Sequence, residues 1–95
     1  MYRLHSERII NLEYRSVRER LVSFLLTTSK RFGKETEHGL LIDVPLRHQD
    51  IASSISATRE TTSREIAILE RQGLLHSQQS FITLINLDKL RHYLE

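Results

Sequence analysis

The sequence predicts a mainly α domain with a small β wing: a three-helix core, a short antiparallel sheet and a C-terminal helix. Three observations predict it. Apolar residues recur at helical spacing over 17–32 and again over 48–72. The second of these stretches holds two helical patterns separated by only two or three residues. Two short apolar runs joined by a polar segment follow, and a last helical pattern closes the chain. A length of 95 residues leaves room for one modest core.

Residues 2–14 carry Leu4, Ile9, Ile10 and Leu12 among charges and read as helix, too short to form a core alone. Ser16 with Glu19 fits the S-x-x-E capping box, in which each side chain satisfies a free backbone N–H at a helix start. From there Val17, Leu21, Phe24, Leu25 and Phe32 line one face, with Phe24 and Phe32 expected in the core, and Gly33 ends the run. Gly39 to Val44 reads as a strand stopped by Pro45. Helix patterns resume at 48–55 and 58–72, the second closing on Gly73, a residue that tolerates the left-handed conformation of a helix end. Leu74 to His76 and Phe81 to Ile85 read as two strands joined by Ser77–Ser80. Asn86 then caps a short helix bearing Leu87, Leu90 and Leu94. Two closely spaced helices followed by a hairpin are the parts of a winged helix-turn-helix.

Composition narrows the function classes. There is no cysteine, which excludes disulfides and thiolate metal sites. The five histidines are scattered without ligand spacing, so no metal site and no cofactor is expected in this chain. His48 near Asp50 has no nucleophile or third group beside it and reads as a surface histidine rather than as part of an enzyme site. No apolar run approaches the roughly 18 residues of a membrane span, and a cytoplasmic protein is the expectation. A net charge of +2 means that binding to nucleic acid would depend on a few well-placed groups rather than on bulk charge.

The informative stretch is QDIASSISATRETTSREIAILERQGLL, Gln49 to Leu75. Ile51, Ala52 and Ile55 share one side of the first short helix, Ser56-Ala57 supplies the turn, and Thr58 can cap the second helix. On a wheel of about 100° per residue, Thr58, Thr62 and Leu69 point inward, with Ile66 at the margin. Glu60, Ser63, Arg64, Ala67 and Arg71 point the other way, flanked by Arg59. Small residues among long charged ones suit the floor of a DNA major groove. Arginine can donate twice to guanine and glutamate can accept from cytosine N4, which makes Arg59, Glu60 and Arg64 candidate base readers. Seven of the eleven residues from Ser53 to Ser63 carry hydroxyls suited to phosphate contacts, Ser63 among them.

The run TRETTSREIAILERQGLL closely resembles the T/S-R-E-T-V-S-R-x-L-x-x-L-E-x-x-G-L-I signature of the Crp/Fnr regulators. HQDIA is similar to the start of their first motif helix, and VRERLVSFLL resembles the helix that opens their DNA-binding domain. The resemblance implies a bacterial transcription regulator acting on double-stranded DNA as a homodimer, with palindromic operators of TGTGA-like half-sites and RNA polymerase as a further partner. It places base reading on Arg59, Glu60 and Arg64 and phosphate contacts on Gln49, Thr58 and Thr61. It also implies that residues 1–14 are the end of a dimerisation helix and its hinge, that residues 15–95 are the winged helix-turn-helix domain, and that a nucleotide- or effector-sensing domain precedes them.

The chain departs from the family pattern at four places. Arg47 stands where Thr or Ser usually caps the first motif helix, and Ser56 replaces the usual turn glycine. Thr62 replaces an apolar residue, and Ser77–Ser80 lacks the wing's customary glycine. The alternative reading of the same parts is a winged-helix protein–protein interaction module, whose second motif helix docks on a partner instead of on DNA.

Overall fold

The computed structural model describes residues 16–94. Along the chain run α1 (Val17–Phe32), β1 (Gly33–Thr36), β2 (Gly39–Ile42), α2 (His48–Ile55), α3 (Arg59–Arg71), β3 (Leu75–Gln78), β4 (Phe81–Leu84) and α4 (Leu87–His92). The four strands form one antiparallel sheet in the order β1-β2-β4-β3. The expected mainly α domain with a β wing is what the chain forms. The helix expected over 2–14 lies outside the described residues.

The starts of α1 and α4 and the end of α3 follow from their local sequence. Ser16 and Glu19 form the reciprocal capping box of α1, at 3.1 and 2.8 Å. Asn86 accepts from the Lys89 N–H at 3.1 Å to open α4. At the end of α3, Gly73 takes φ +78, and the Leu74 N–H reaches back to the Leu69 carbonyl at 3.1 Å. That closure needs a residue that adopts the left-handed region without strain.

The core collects one face of every element except β1. Leu21, Val22 and Leu25 of α1 meet Ile51 and Ile55 of α2, Ile66 and Leu69 of α3, and Leu90 of α4, all with at most 2% of their surface exposed. The sheet contributes by alternation. Leu40, Leu84 and Leu75 sit side by side on one rung, and Ile42 pairs with Ile82 two residues away. The opposite face carries the rung Lys34, Leu41, Thr83 and His76.

Four expectations need correction. β1 was not expected, because Lys34-Glu35-Thr36 is polar and wholly exposed. It forms by pairing with β2, a non-local contact that hydrophobic pattern does not encode. Gly33 therefore does more than end a helix: it continues as extended chain at φ −72, where a Cβ would collide with the Ser29 carbonyl oxygen. β2 stops at Ile42 instead of Val44, since Ile42 already pairs with Gly33, the first residue of β1. Phe32 is 42% exposed rather than core. It lies at the last turn of α1, with the Arg31 guanidinium 5.6 Å from its ring centroid.

The wing is tighter than the four-residue connection expected. β3 runs to Gln78, so only Gln79 and Ser80 turn the chain, at φ +51 and +70. Two consecutive left-handed residues are the geometry of a type I′ hairpin, here made without glycine. The Ser80 carbonyl also accepts from the Leu46 N–H at 2.6 Å, which ties the wing tip to the segment entering α2.

Candidate nucleic-acid interface

The helix pair α2–α3 is held from behind by α1. Arg20 donates from Nε to the Ile55 carbonyl at 2.8 Å and from a terminal nitrogen to the Ser56 carbonyl at 3.5 Å. These carbonyls stand at the end of α2, where intrahelical partners run out. Two residues earlier, Arg18 Nε meets Glu65 Oε1 at 2.6 Å, joining α1 to the middle of α3. The Glu65 hydrogen bond, offset in part by desolvation, raises the Arg18 pKa above its ordinary value. The two arginines are two residues apart on one helix, so α1 fixes both the turn and α3.

The turn itself is Ser56, at φ +58 and ψ +49, with the Ala57 N–H bonded to the Ala52 carbonyl at 3.0 Å. The left-handed backbone that the family's glycine would supply is kept here by a serine. α2 begins after Arg47, whose side chain makes no capping hydrogen bond. α3 begins after Thr58, which accepts from the Thr61 N–H at 3.1 Å and donates to Thr61 Oγ1 at 2.9 Å.

α3 packs against α1, α2 and β3. Thr62 and Leu69 are wholly buried, as the wheel implied, and Ile66 joins them at 2% exposed instead of lying at a margin. Three neighbours make the buried arc wider than a one-sided wheel allows. The Thr62 hydroxyl has no hydrogen-bond partner among the described residues. Thr58 is exposed and does not point inward, because a cap residue with extended backbone (φ −81, ψ 158) stands outside the helical wheel.

Arg59, Glu60 and Arg64 are all exposed, as are Ala67 and Arg71. Among the described residues no ion pair or hydrogen bond engages the Arg59, Glu60 or Arg64 side chains. Gln49 is exposed at the start of α2, and Thr61 is half-buried with its hydroxyl already bonded to Thr58. Ser63 is half-buried too, and its Oγ lies 2.7 Å from His48 Nδ1. His48 is therefore a residue of the helix pair and not a free surface histidine.

Beside these groups lies an open polar cleft, bounded by Arg47, His48 and Gln49 of the α2 entrance, Arg59 and Ser63 of α3, and Ser80 of the wing tip. The structure thus brings together Gln49, Arg59 and Ser63, while Glu60 and Arg64 lie outside the cleft. Sequence reasoning missed Arg18, Arg20, Arg47 and His48 as parts of this assembly. The partners of Arg18, Arg20 and His48 are 15 to 47 positions away, beyond any local pattern. Only Arg47 carried a signal, as an unusual residue at a cap position.

This arrangement is shared with known proteins. The family model described as a Crp-like helix-turn-helix domain matches residues 19–93. The global nitrogen regulator of Synechococcus elongatus is 38% identical over 84 residues, covering 87% of this chain and 38% of that protein. A CRP/FNR-family transcriptional regulator from Thermus thermophilus superposes with a TM-score of 0.83 at 26% identity, covering 93% of this chain and 45% of that one. A CooA variant from Carboxydothermus hydrogenoformans gives 0.84 at 26% identity, over 92% and 40%. The chain spans about two fifths of the length of these relatives. With the capped second motif helix, the turn and the wing all in place, the chain belongs to the Crp-like helix-turn-helix family, the winged DNA-binding domain of Crp/Fnr transcription regulators.

Proposed function

We propose that the chain recognises specific double-stranded DNA by laying α3 in a major groove, with Arg59, Glu60 and Arg64 reading base edges. Gln49, Thr58 and Thr61 would meet the phosphates on either side. One observation carries the reading. Arg59, Glu60 and Arg64 project unpaired from the exposed side of a helix whose other side, Thr62, Ile66 and Leu69, is anchored in the core. Side chains held on a rigid element and left without internal partners are available to donate to guanine and to accept from cytosine.

In the whole protein this domain would act as one half of a cytoplasmic homodimer. Each copy would enter one half-site of a palindromic operator, the half-sites about one helical turn apart. Residues 1–14 would lead to the dimerisation helix, a preceding domain would sense the effector, and RNA polymerase would be the partner through which transcription changes. In this reading the domain acts by binding, with no chemical step of its own.

The test is a pair of titrations on a duplex selected from a random pool. Arg64→Ala should weaken binding by about 1–3 kcal/mol and relax base preference at one position, with random DNA bound as before. Parent affinity should fall steeply with salt, by a slope of about −0.9 for each phosphate neutralised. An Arg64→Ala chain with unaltered preferences, or binding indifferent to salt, overturns the reading in favour of a protein-docking module.

A further inference from the structure

Glu65 and Gln72 lie two turns apart on one flank of α3, between its buried side at Thr62, Ile66 and Leu69 and its exposed side at Arg64 and Arg71. Two other helices grip this flank. From the first turn of α1, Arg18 donates to Glu65 Oε1 at 2.6 Å. From the end of α4, the Tyr93 hydroxyl donates to Gln72 Oε1 at 2.9 Å. The two grips are joined, because Tyr93 is a second hydrogen-bond partner of the Arg18 guanidinium. Polarity at the Arg18 end has one solution. A guanidinium only donates, a carboxylate accepts, and the phenol oxygen keeps lone pairs after its hydrogen has gone to Gln72. With the Glu65 side chain 16% exposed, its ion pair is screened less than one on the open surface.

We propose that Arg18, Glu65 and Tyr93 are positioning residues that set the roll of α3 about its own axis, and so decide which base edges Arg64 meets. Apolar burial has no direction, so Ile66 and Leu69 fix how deep α3 sits more firmly than how far it turns. The one polar group on that buried side, the Thr62 hydroxyl, has no partner among the described residues and adds no directional hold. A charge-assisted hydrogen bond is directional, and this one falls on the residue that follows Arg64, about 100° round the helix. Binding groups must be held to within about 0.5 Å and 10–20° of their productive geometry. A roll of that size swings Arg64 off the edge it donates to. The inference rests on α3 entering the major groove.

The probe is a duplex selected by the parent chain from a random pool, together with its single-base-pair variants. Arg64→Ala first marks the pair that Arg64 reads. At that pair, Arg18→Met and Glu65→Leu each cut the parent's discrimination about threefold to tenfold, the scale of one hydrogen bond lost from a bidentate contact. The two changes together cut it no further than either alone, since both remove the same grip. Tyr93→Phe, which keeps the ring and drops the hydroxyl, gives a smaller loss at the same pair. Arg18→Lys keeps a donor for Glu65 but loses the fork that also reaches Tyr93, and matches Tyr93→Phe. Affinity for random DNA and the salt slope stay near the parent values throughout. Should Arg18→Met or Glu65→Leu not fold, Arg18→Lys and Tyr93→Phe carry the same test with smaller losses.

The inference is overturned if discrimination at that pair is unaltered in the folded variants, or if the loss is uniform over all duplexes, as a loosened fold alone would give. It is overturned as well if Glu65→Leu tightens binding to every duplex while Arg18→Met weakens it with a salt slope smaller by about one. That pattern makes Arg18 a phosphate contact held back by Glu65. If Arg64→Ala leaves base preferences unaltered, the major-groove reading itself has failed. A normal Arg64 response beside flat responses at Arg18, Glu65 and Tyr93 sinks only the positioning role.

Discussion

α3 starts on a side-chain cap, with Thr58 holding the Thr61 N–H at 3.1 Å, whereas α2 starts at Arg47, which offers its helix no side-chain acceptor. The two helices end differently as well. α3 closes through Gly73, which takes its left-handed conformation freely, while α2 closes through Ser56 at φ +58, where a Cβ costs about 1 kcal/mol. α2 is only 8 residues long, against 13 for α3. It is held by burial of Ile51, Ala52 and Ile55 and by Arg20 reaching its last carbonyls. The weaker local signals lie in the helix that borrows its stability from α1. The stronger ones lie in the helix that carries the exposed, unpaired side chains.

The largest effect that would break this contrast is Ile66→Ala. It leaves a cavity between α3, α1 and α2, and should cost about 2–5 kcal/mol in a denaturant titration while also abolishing DNA binding. Arg64→Ala, on the opposite side of the same helix, should cost DNA affinity alone and leave the unfolding midpoint within about 0.5 kcal/mol of the parent. If both substitutions destabilise the fold equally, α3 does not have the two separate faces described above.

Smaller changes sharpen the comparison. Thr62→Val removes a buried hydroxyl without a partner and should stabilise the domain by about 1 kcal/mol, read as a rise in melting temperature. A fall instead would mean that the hydroxyl is satisfied in solution, by a water or a shifted rotamer. Arg47→Thr should add about 0.5–1 kcal/mol by capping α2, and at the same time weaken DNA binding and flatten its salt dependence. Gain of stability with unaltered binding would show that Arg47 has no part in the interface. Ser56→Gly relieves the left-handed strain but loosens the unfolded chain, so a gain of about 0.5 kcal/mol is the expected net.

Local chemistry accounts for most of what was legible. The capping box at Ser16 and Glu19, the Thr58 and Asn86 caps and the Gly73 ending are short-range hydrogen-bonding rules, and each operates within a few residues. They placed α1, α3 and α4 to within a residue or two, while α2 was legible from the spacing of Ile51, Ala52 and Ile55. The helical period of α3 by itself separates the exposed Arg59, Glu60 and Arg64 from the buried Thr62 and Leu69. Three of the errors share one cause. β1 exists because β2 lies beside it, Ile66 is covered because a third neighbour closes over α3, and Phe32 is exposed because the chain leaves the core at Gly33.

By itself, then, the amino-acid order determined the helices, their ends, the hairpin and the face of α3 that stays outside, because each depends on groups a few positions apart. Only the tertiary structure decided that Arg18 would grip Glu65, that Arg20 would close the turn at Ser56, and that His48 would take hold of Ser63. Those partners are joined by packing across tens of residues. Which polar groups meet there depends on how the whole core fits together, and no local pattern contains that information.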